Sequence, residues 1–209
     1  MSSPKKPVLP KILDESSGLI LEDEKVFSSV EVNGSLLTGL KIRQVKFNES
    51  KFVSCDFSNS ELEKTEISNS IFENCNFSNS KLKEGNLDRV IFRSCRLTGI
   101  DFSESIVKNI QFRECKINLS NFRFSQFQDV IFEDCDLKEG DFLGSKMKSI
   151  DFKSSDLEGA IFANGKLQEV DFRTSKILGI KIQPENFKGI IIGTDQVMDI
   201  VSLLGIEIR

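Results

Sequence analysis

The sequence predicts an all-β repeat fold, a solenoid in which the chain bends once every few residues, and three observations predict it. Stepping by five from Phe27 through Val32, Leu37, Ile42, Phe47, Phe52 and Phe57 to Ile192 meets only Phe, Leu, Ile, Val or Met. Of the eighteen Phe residues, Phe124 alone lies off this register. The stretch FVSCDFSNS at 52–60 returns as FENCNFSNS twenty residues later and as FRSCRLTGI twenty after that. A five-residue step advances an α-helix by roughly 140° and flips a strand to its opposite face, so neither element alone gathers these residues on one side. The chain must therefore turn between repeats, and a short fixed period is the mark of a solenoid.

The flanking positions add two constraints. The residue two before each central one is mostly small or β-branched, as in Cys55, Ser60, Thr65, Ser70, Cys75, Ser80, Gly85 and Val90, and the residue one before is often Asp or Asn, as in CDFSN, CNFSN, IDFKS and VDFRT. In these features residues 27–192 resemble the pentapeptide-repeat proteins, whose consensus is A(D/N)Lxx. The resemblance implies a right-handed quadrilateral β-helix of about eight coils, four repeats to a coil, with the central and minus-two side chains turned inward.

Four fives then explain the recurrence at twenty. Phe52, Phe72, Phe92, Phe112, Phe132, Phe152 and Phe172 form one inward spine, accompanied by Val90, Ile110, Val130, Ile150 and Val170. Coils spaced by about 4.8 Å hold such rings at offset-stacking distance. The adjacent column is Phe57, Phe77, Leu97, Ile117, Leu137, Leu157 and Ile177, and its minus-two column contains all five cysteines, Cys55, Cys75, Cys95, Cys115 and Cys135. Ser35, Ser155 and Ser175 continue that column at its ends, which suits a small corner-filling residue better than a ligand set. One thiol per coil makes no tetrahedral cluster, and parallel side chains do not form a disulfide. Free thiols are expected.

The chain contains no His, Tyr or Trp. A Ser-His-Asp or Cys-His arrangement and an imidazole metal ligand are therefore excluded, and so is a polar-tipped aromatic platform. No catalytic, cofactor-binding or metal-ligating residue is assigned, and the reading is that of a protein which is not an enzyme. The lysines of MSSPKKPVLPKIL are followed by no apolar run long enough for a signal peptide or a membrane span, so the expected setting is cytosolic.

Both ends depart from the repeat, giving an arm and cap over 1–26, the β-helix over 27–192 and a tail over 193–209. Pro4, Pro7 and Pro10 have the stride of an extended polyproline-like arm. Glu22 falls where an apolar residue is required, so the regular helix is expected to begin no earlier than Phe27. At the other end, GTDQVMDIVSLLGIEIR predicts a short amphipathic helix with Thr194 as N-cap and Gly205 as the stop. It would cover the open edge of the last coil, and its apolar Val197, Met198, Ile200, Val201 and Leu204 would form a two-fold dimer interface.

The net charge of −4 conceals an asymmetry. Residues 129–171 hold eleven acids against five lysines, whereas residues 25–128 hold twelve acids against fifteen bases. A rod near 40 Å long with its carboxylates toward the dimer centre suggests a surface standing in for duplex DNA. The residues expected to carry it are Glu133, Asp134, Asp136, Glu139, Asp141, Asp151, Asp156 and Asp171. The partner would be a DNA-binding protein, not nucleic acid itself.

The closing stretch LGIKIQPENF followed by TDQVMDIVSLLGIEI, and LILEDE near the start, further resemble the Qnr and MfpA group of pentapeptide-repeat proteins, most nearly the chromosomal Qnr-like proteins of Gram-positive bacteria. That resemblance implies a homodimer that binds DNA gyrase and topoisomerase IV and protects them from fluoroquinolones. One departure stands out: the two loops that interrupt the repeat in the Qnr proteins of Gram-negative bacteria are missing, because the register here runs unbroken from Phe27 to Ile192. Inhibition of gyrase without protection, or a scaffold with an unrelated partner, are the alternatives.

Overall fold

The computed structural model describes residues 3–16 and 18–203. The chain winds into a right-handed quadrilateral β-helix of about nine turns, closed by one short C-terminal helix. Ten strands stack in parallel along the axis, from Asp14–Ser16 to Ile190–Ile191, so nine steps of about 4.8 Å make a rod of ~43 Å. Register is one coil of twenty residues: Phe52 lies beside Phe72, Phe72 beside Phe92, and Phe112 beside Phe132.

Two local interactions turn the chain at every repeat. From Ser29 onward each residue with a positive φ lies two after a central residue, as Asn59 (56°), Asn79 (56°), Asp134 (55°) and Gly144 (69°) do. This left-handed conformation favours Gly and Asn and disfavours β-branched side chains. The Asp or Asn one before the centre supplies the second interaction. Its side-chain oxygen accepts a hydrogen bond from the backbone N–H two residues on, as Asp56 does from Ser58 (2.9 Å), Asn76 from Ser78 (3.1 Å) and Asp101 from Ser103 (2.9 Å).

Four sides result, numbered here by their central columns: the first from Phe27 to Leu167, the second from Val32 to Phe172, the third from Leu37 to Ile177, and the fourth from Ile42 to Ile182. Those residues are all buried. The second-side spine stacks Phe52 on Phe72 at 4.8 Å and Phe112 on Phe132 at 4.8 Å, with ring planes 7° and 4° apart. A second ladder, Phe102–Phe122–Phe142–Phe162, rises on the fourth side, and Phe142 meets Phe152 edge-on at 6.1 Å. Burying each such ring contributes roughly 1.5–3 kcal/mol before the entropy of ordering the chain.

The five cysteines are free and buried. Each donates its thiol to a carbonyl, as Cys115 does to Arg113 (3.2 Å), and Ser155 at the same corner donates to Phe132 (3.0 Å). Cys and Ser thus play one part, which explains why the column grades from one into the other. Hydrogen bonding to the neighbouring Cys115 and burial together push the Cys135 thiol up.

Winding begins earlier than the register of Phe27 alone implies. Asp14–Ser16 pairs with the strand Val30–Asn33, Asp14 lying opposite Val30, so the first turn is four residues short. Leu21 is buried in that turn while Glu22 stays exposed. This irregular coil takes the count from the expected eight to about nine.

The arm before it lies along the edge between the first and second sides. The Lys5 N–H donates to Asn109 Oδ1 (3.2 Å) and the Val8 N–H to Asn69 Oδ1 (3.5 Å). Three residues of extended chain span about 9 Å, close to the ~9.6 Å of the two coils between those asparagines. Pro4 is buried, as are Ile91 and Gln111, although the latter two point outward.

Candidate protein-binding surface

The acids of 129–171 do not share one side. Glu133, Asp151 and Asp171 lie on the second side and Asp141 on the fourth, while Asp134, Asp136, Glu139 and Asp156 gather on the third side and its two edges. Glu158, which the sequence reading passed over, joins the latter group. Side follows from position within the twenty-residue coil, so acids ten apart face opposite ways.

Ion pairs, between coils at Glu133 and Asp141 and within a coil at Asp171, neutralise most acids of the second and fourth sides. Lys153 pairs with Glu133, which Arg113 also approaches at 3.5 Å. Arg123 meets Asp141 at 2.6 Å and Arg173 grips Asp171 at 2.6 Å. The Lys153 hydrogen bond holds the Glu133 carboxyl below its usual range against the opposing effect of burial. Burial likewise opposes ionisation of Asp171, but the Arg173 guanidinium and backbone N–H outweigh it and hold that carboxyl low. Asp151, alongside Asp171 in the parallel ladder, is pushed up by burial and then by that neighbouring carboxylate.

Several of these acids also hold the turns. Asp136, Asp141, Asp156 and Asp171 accept the backbone N–H of Lys138 (3.3 Å), Leu143 (2.9 Å), Glu158 (3.2 Å) and Arg173 (3.0 Å) respectively. Part of the acid density in the sequence is therefore turn chemistry.

The third side is where negative charge remains in excess. Over two adjacent coils it presents Asp134, Asp136, Glu139, Asp156 and Glu158 with Lys138 among them, 3.4 Å from Asp156 and 3.7 Å from Glu158, while Lys176 of the next coil also reaches Asp156 at 3.4 Å. Asp134, Asp136 and Glu139 have no ion pair among the described residues. Asp136 stacks against Asp156 in the next coil, so two carboxylates repeat at the coil spacing.

At the C-terminal end, a 3-10 turn Thr194–Gln196 leads into the α-helix Val197–Leu203. The expected N-cap is replaced: Thr194 makes no capping hydrogen bond, and the N-cap residue is Gly193. Gln196 does the work instead. Its Oε1 accepts the Gly193 N–H (2.9 Å), and its Nε2 donates to the carbonyls of Phe172 (2.6 Å) and Ser175 (2.7 Å). Ile200 and Leu203 pack against the core, Val201 is half-buried, and Val197 and Met198 stand exposed at 43% and 59%. Leu204 lies outside the described residues.

Two features escaped sequence reasoning. Phe124, off the register, is 60% exposed at a positive-φ corner with its ring over Gly144. The lysines of residues 129–171 also concentrate on the side opposite the acids, and sorting residues by their position within twenty would have revealed this. Among the described residues no group of three or more acids or cysteines is arranged to hold a metal, and no helix is long and apolar enough to cross a membrane.

A family model described as the pentapeptide repeat region matches residues 45–122. No curated protein is significantly similar to the chain. Among solved structures, trypsin-treated QnrB1, a plasmid-mediated fluoroquinolone resistance protein, is 18% identical over 93% of this chain and 99% of that one, with a TM-score of 0.48. Full-length QnrB1 is 25% identical over 84% and 100%, with a TM-score of 0.30. HetL, a pentapeptide repeat protein involved in heterocyst differentiation regulation in the cyanobacterium Nostoc, is 12% identical over 82% and 91%, with a TM-score of 0.27.

Proposed function

Because residues 45–122 match the pentapeptide repeat region and the same winding continues on both sides of them, we propose that the chain acts by binding and not by chemistry, presenting its acidic third side to the DNA-binding surface of DNA gyrase or topoisomerase IV and so protecting them from fluoroquinolones. The observation that carries the proposal is the third-side cluster of Asp134, Asp136, Glu139, Asp156 and Glu158 on a rod of regularly stacked coils. Duplex DNA is itself a rod of closely spaced negative charge, and a protein groove built for it attracts a carboxylate array of similar form. The closing stretch that resembles the Qnr and MfpA group supports the choice of target.

In this reading the exposed Val197 and Met198 join two copies end to end, which lengthens the acidic surface about a two-fold axis. The unbroken five-residue register favours a second outcome, inhibition of the topoisomerase without protection. A gyrase supercoiling assay with ciprofloxacin, titrated with the purified protein, separates the two. Restored supercoiling in the presence of drug supports protection, and inhibition with no rescue supports the second reading. The absence of any effect at stoichiometric excess would sink both.

A further inference from the structure

We propose that the first side of the C-terminal coils binds the phosphodiester backbone of duplex nucleic acid. This goes beyond the topoisomerase reading and does not depend on it. From residue 106 to 188, the side chains flanking the central column on that side are Lys108, Lys146, Lys148, Lys166 and Lys188 among glutamines, Asn186 and Ile106, with no acid at those positions. The five lysines are exposed and form no ion pair among the described residues.

The arrangement is unlike the rest of the rod. In the N-terminal coils of the same side, Lys46 is paired with Glu66 of the next coil at 2.9 Å. Here Lys146 is stacked directly on Lys166, with Gln126 below the pair, and Lys148 lies between Gln128 and Gln168. Like charges opposite one another in a ladder destabilise it, so this stacking costs stability without a structural return. The nearest acid on the side itself is Asp88, opposite Lys108 in the ladder and held by Arg89 at 2.7 Å, and the others occupy its edge: Asp129 accepts from Gln128 (3.2 Å) and Glu169 from Ser149 (2.7 Å). The N-terminal arm adds to the charge, because the Lys5 N–H bonds Asn109, next to Lys108, and Lys5 and Lys6 are exposed there.

The chemistry of the side chains selects the ligand. Protein interfaces are anchored by exposed aromatic, Met or Arg side chains and are depleted in lysine. This side has the reverse composition, with Phe127 and Met147 buried beneath the lysines. The exposed Phe124 lies at the edge with the fourth side, its ring over Gly144, and is a single ring where a base-stacking surface for single strands needs successive ones. Lys and Gln without Arg form the donor set that contacts phosphate oxygens irrespective of sequence. The row from Lys108 to Lys188 covers four coil steps, about 19 Å, along which one strand of B-form duplex offers roughly five phosphates.

The test is fluorescence anisotropy of a labelled duplex of about 20 base pairs, titrated with the full-length protein from about 50 to 200 mM salt. Binding is expected, with log K falling against log salt at a slope of roughly −3 to −5. In the triple variant K146Q/K148Q/K166Q the slope should lose about 3 and the affinity at low salt at least ~10-fold, with an unchanged circular dichroism spectrum. The control D134N/E139Q/E158Q, on the opposite side, should bind the duplex at least as well as the parent. No binding at low salt, or equal binding by the triple variant, would overturn the proposal. Tighter direct binding of poly-glutamate than of the duplex would also overturn it, in favour of an acidic protein partner. Running both variants in the gyrase assay keeps this result separate from the fate of the topoisomerase reading.

Discussion

Gln196 Nε2 donates a hydrogen bond to the carbonyl of Phe172 at 2.6 Å, and through it the C-terminal turn is fastened to the end of the aromatic spine. Both hydrogens of one amide serve carbonyls of the last full coil, which otherwise has no following coil to accept from. Replacing Gln196 by Leu keeps the volume but leaves those carbonyls unpaired. We expect a loss of about 1–3 kcal/mol. Hydrogen exchange should show the loss concentrated in residues 165–192; uniform loss along the rod would refute this fastening role of Gln196.

The spine and the off-register ring should respond oppositely to truncation. Phe112 is buried and stacked on both sides, so Phe112→Ala should cost about 3–5 kcal/mol. Phe124 is exposed and held at φ 59°, so Phe124→Gly relieves a left-handed conformation and should change the urea midpoint little or raise it. Comparable destabilisation by both substitutions would contradict the inward assignment.

The shifted carboxyls set the acid limb of stability. Glu133, Asp156 and Asp171 have folded pKa values below their ordinary ones of 4.5 and 3.8, so they stabilise the fold above that range. That contribution is lost as pH falls through their folded values. Asp151 is raised and acts in the other direction, its charged form being the costly one. Asp151→Asn should therefore raise the urea midpoint near neutral pH and have little effect in strong acid, where the parent carboxyl is already neutral. A gain that persists in strong acid would point to packing instead of charge.

On the third side, charge and turn chemistry can be separated. The carboxylates of Asp134, Glu139 and Glu158 accept no turn N–H among the described residues, and D134N/E139Q/E158Q removes three charges without touching the acceptors at Asp136 and Asp156. We expect unchanged stability and roughly 10-fold weaker action on the topoisomerase, mostly through slower association. Asp141→Asn, on the fourth side, should leave that action intact.

The exposed apolar pair at the C-terminus gives a further prediction. Val197→Asp with Met198→Lys should yield monomers in sedimentation velocity while leaving Ile200 and Leu203 packed on the core. A persistent dimer would remove the helix from the interface.

Much of this architecture could be read from the sequence, because the five-residue register is enforced at every step by burial. The Phe spine, the Cys-to-Ser corner and the Asp or Asn before each centre all have local causes, and local causes leave regular traces. Charge leaves none along the line. Lys146 and Lys148 lie between Asp141 and Asp151 in sequence, so a running count cancels them, whereas in the coil they face away from Asp136 and Asp156. Leu21 was obscured for the opposite reason: one turn of sixteen residues breaks the register that made the others visible. Gln196 resembles any polar residue in a helix start until the open carbonyls of the last coil are in place.

A solenoid with four equal sides makes chain length equivalent to an angle. Adding or removing twenty residues changes only the reach of the rod, but inserting a single five-residue unit between Val130 and Asp134 would rotate everything beyond it by a quarter turn. The buried columns would accept the change, since every side is lined by apolar centres. The lysines would swing onto the side that now carries the spine, and the acids would move round with them. Compass bearing, not composition, is then the property such insertions alter, and a protein of this kind can be re-aimed at a new partner without redesign of its interior.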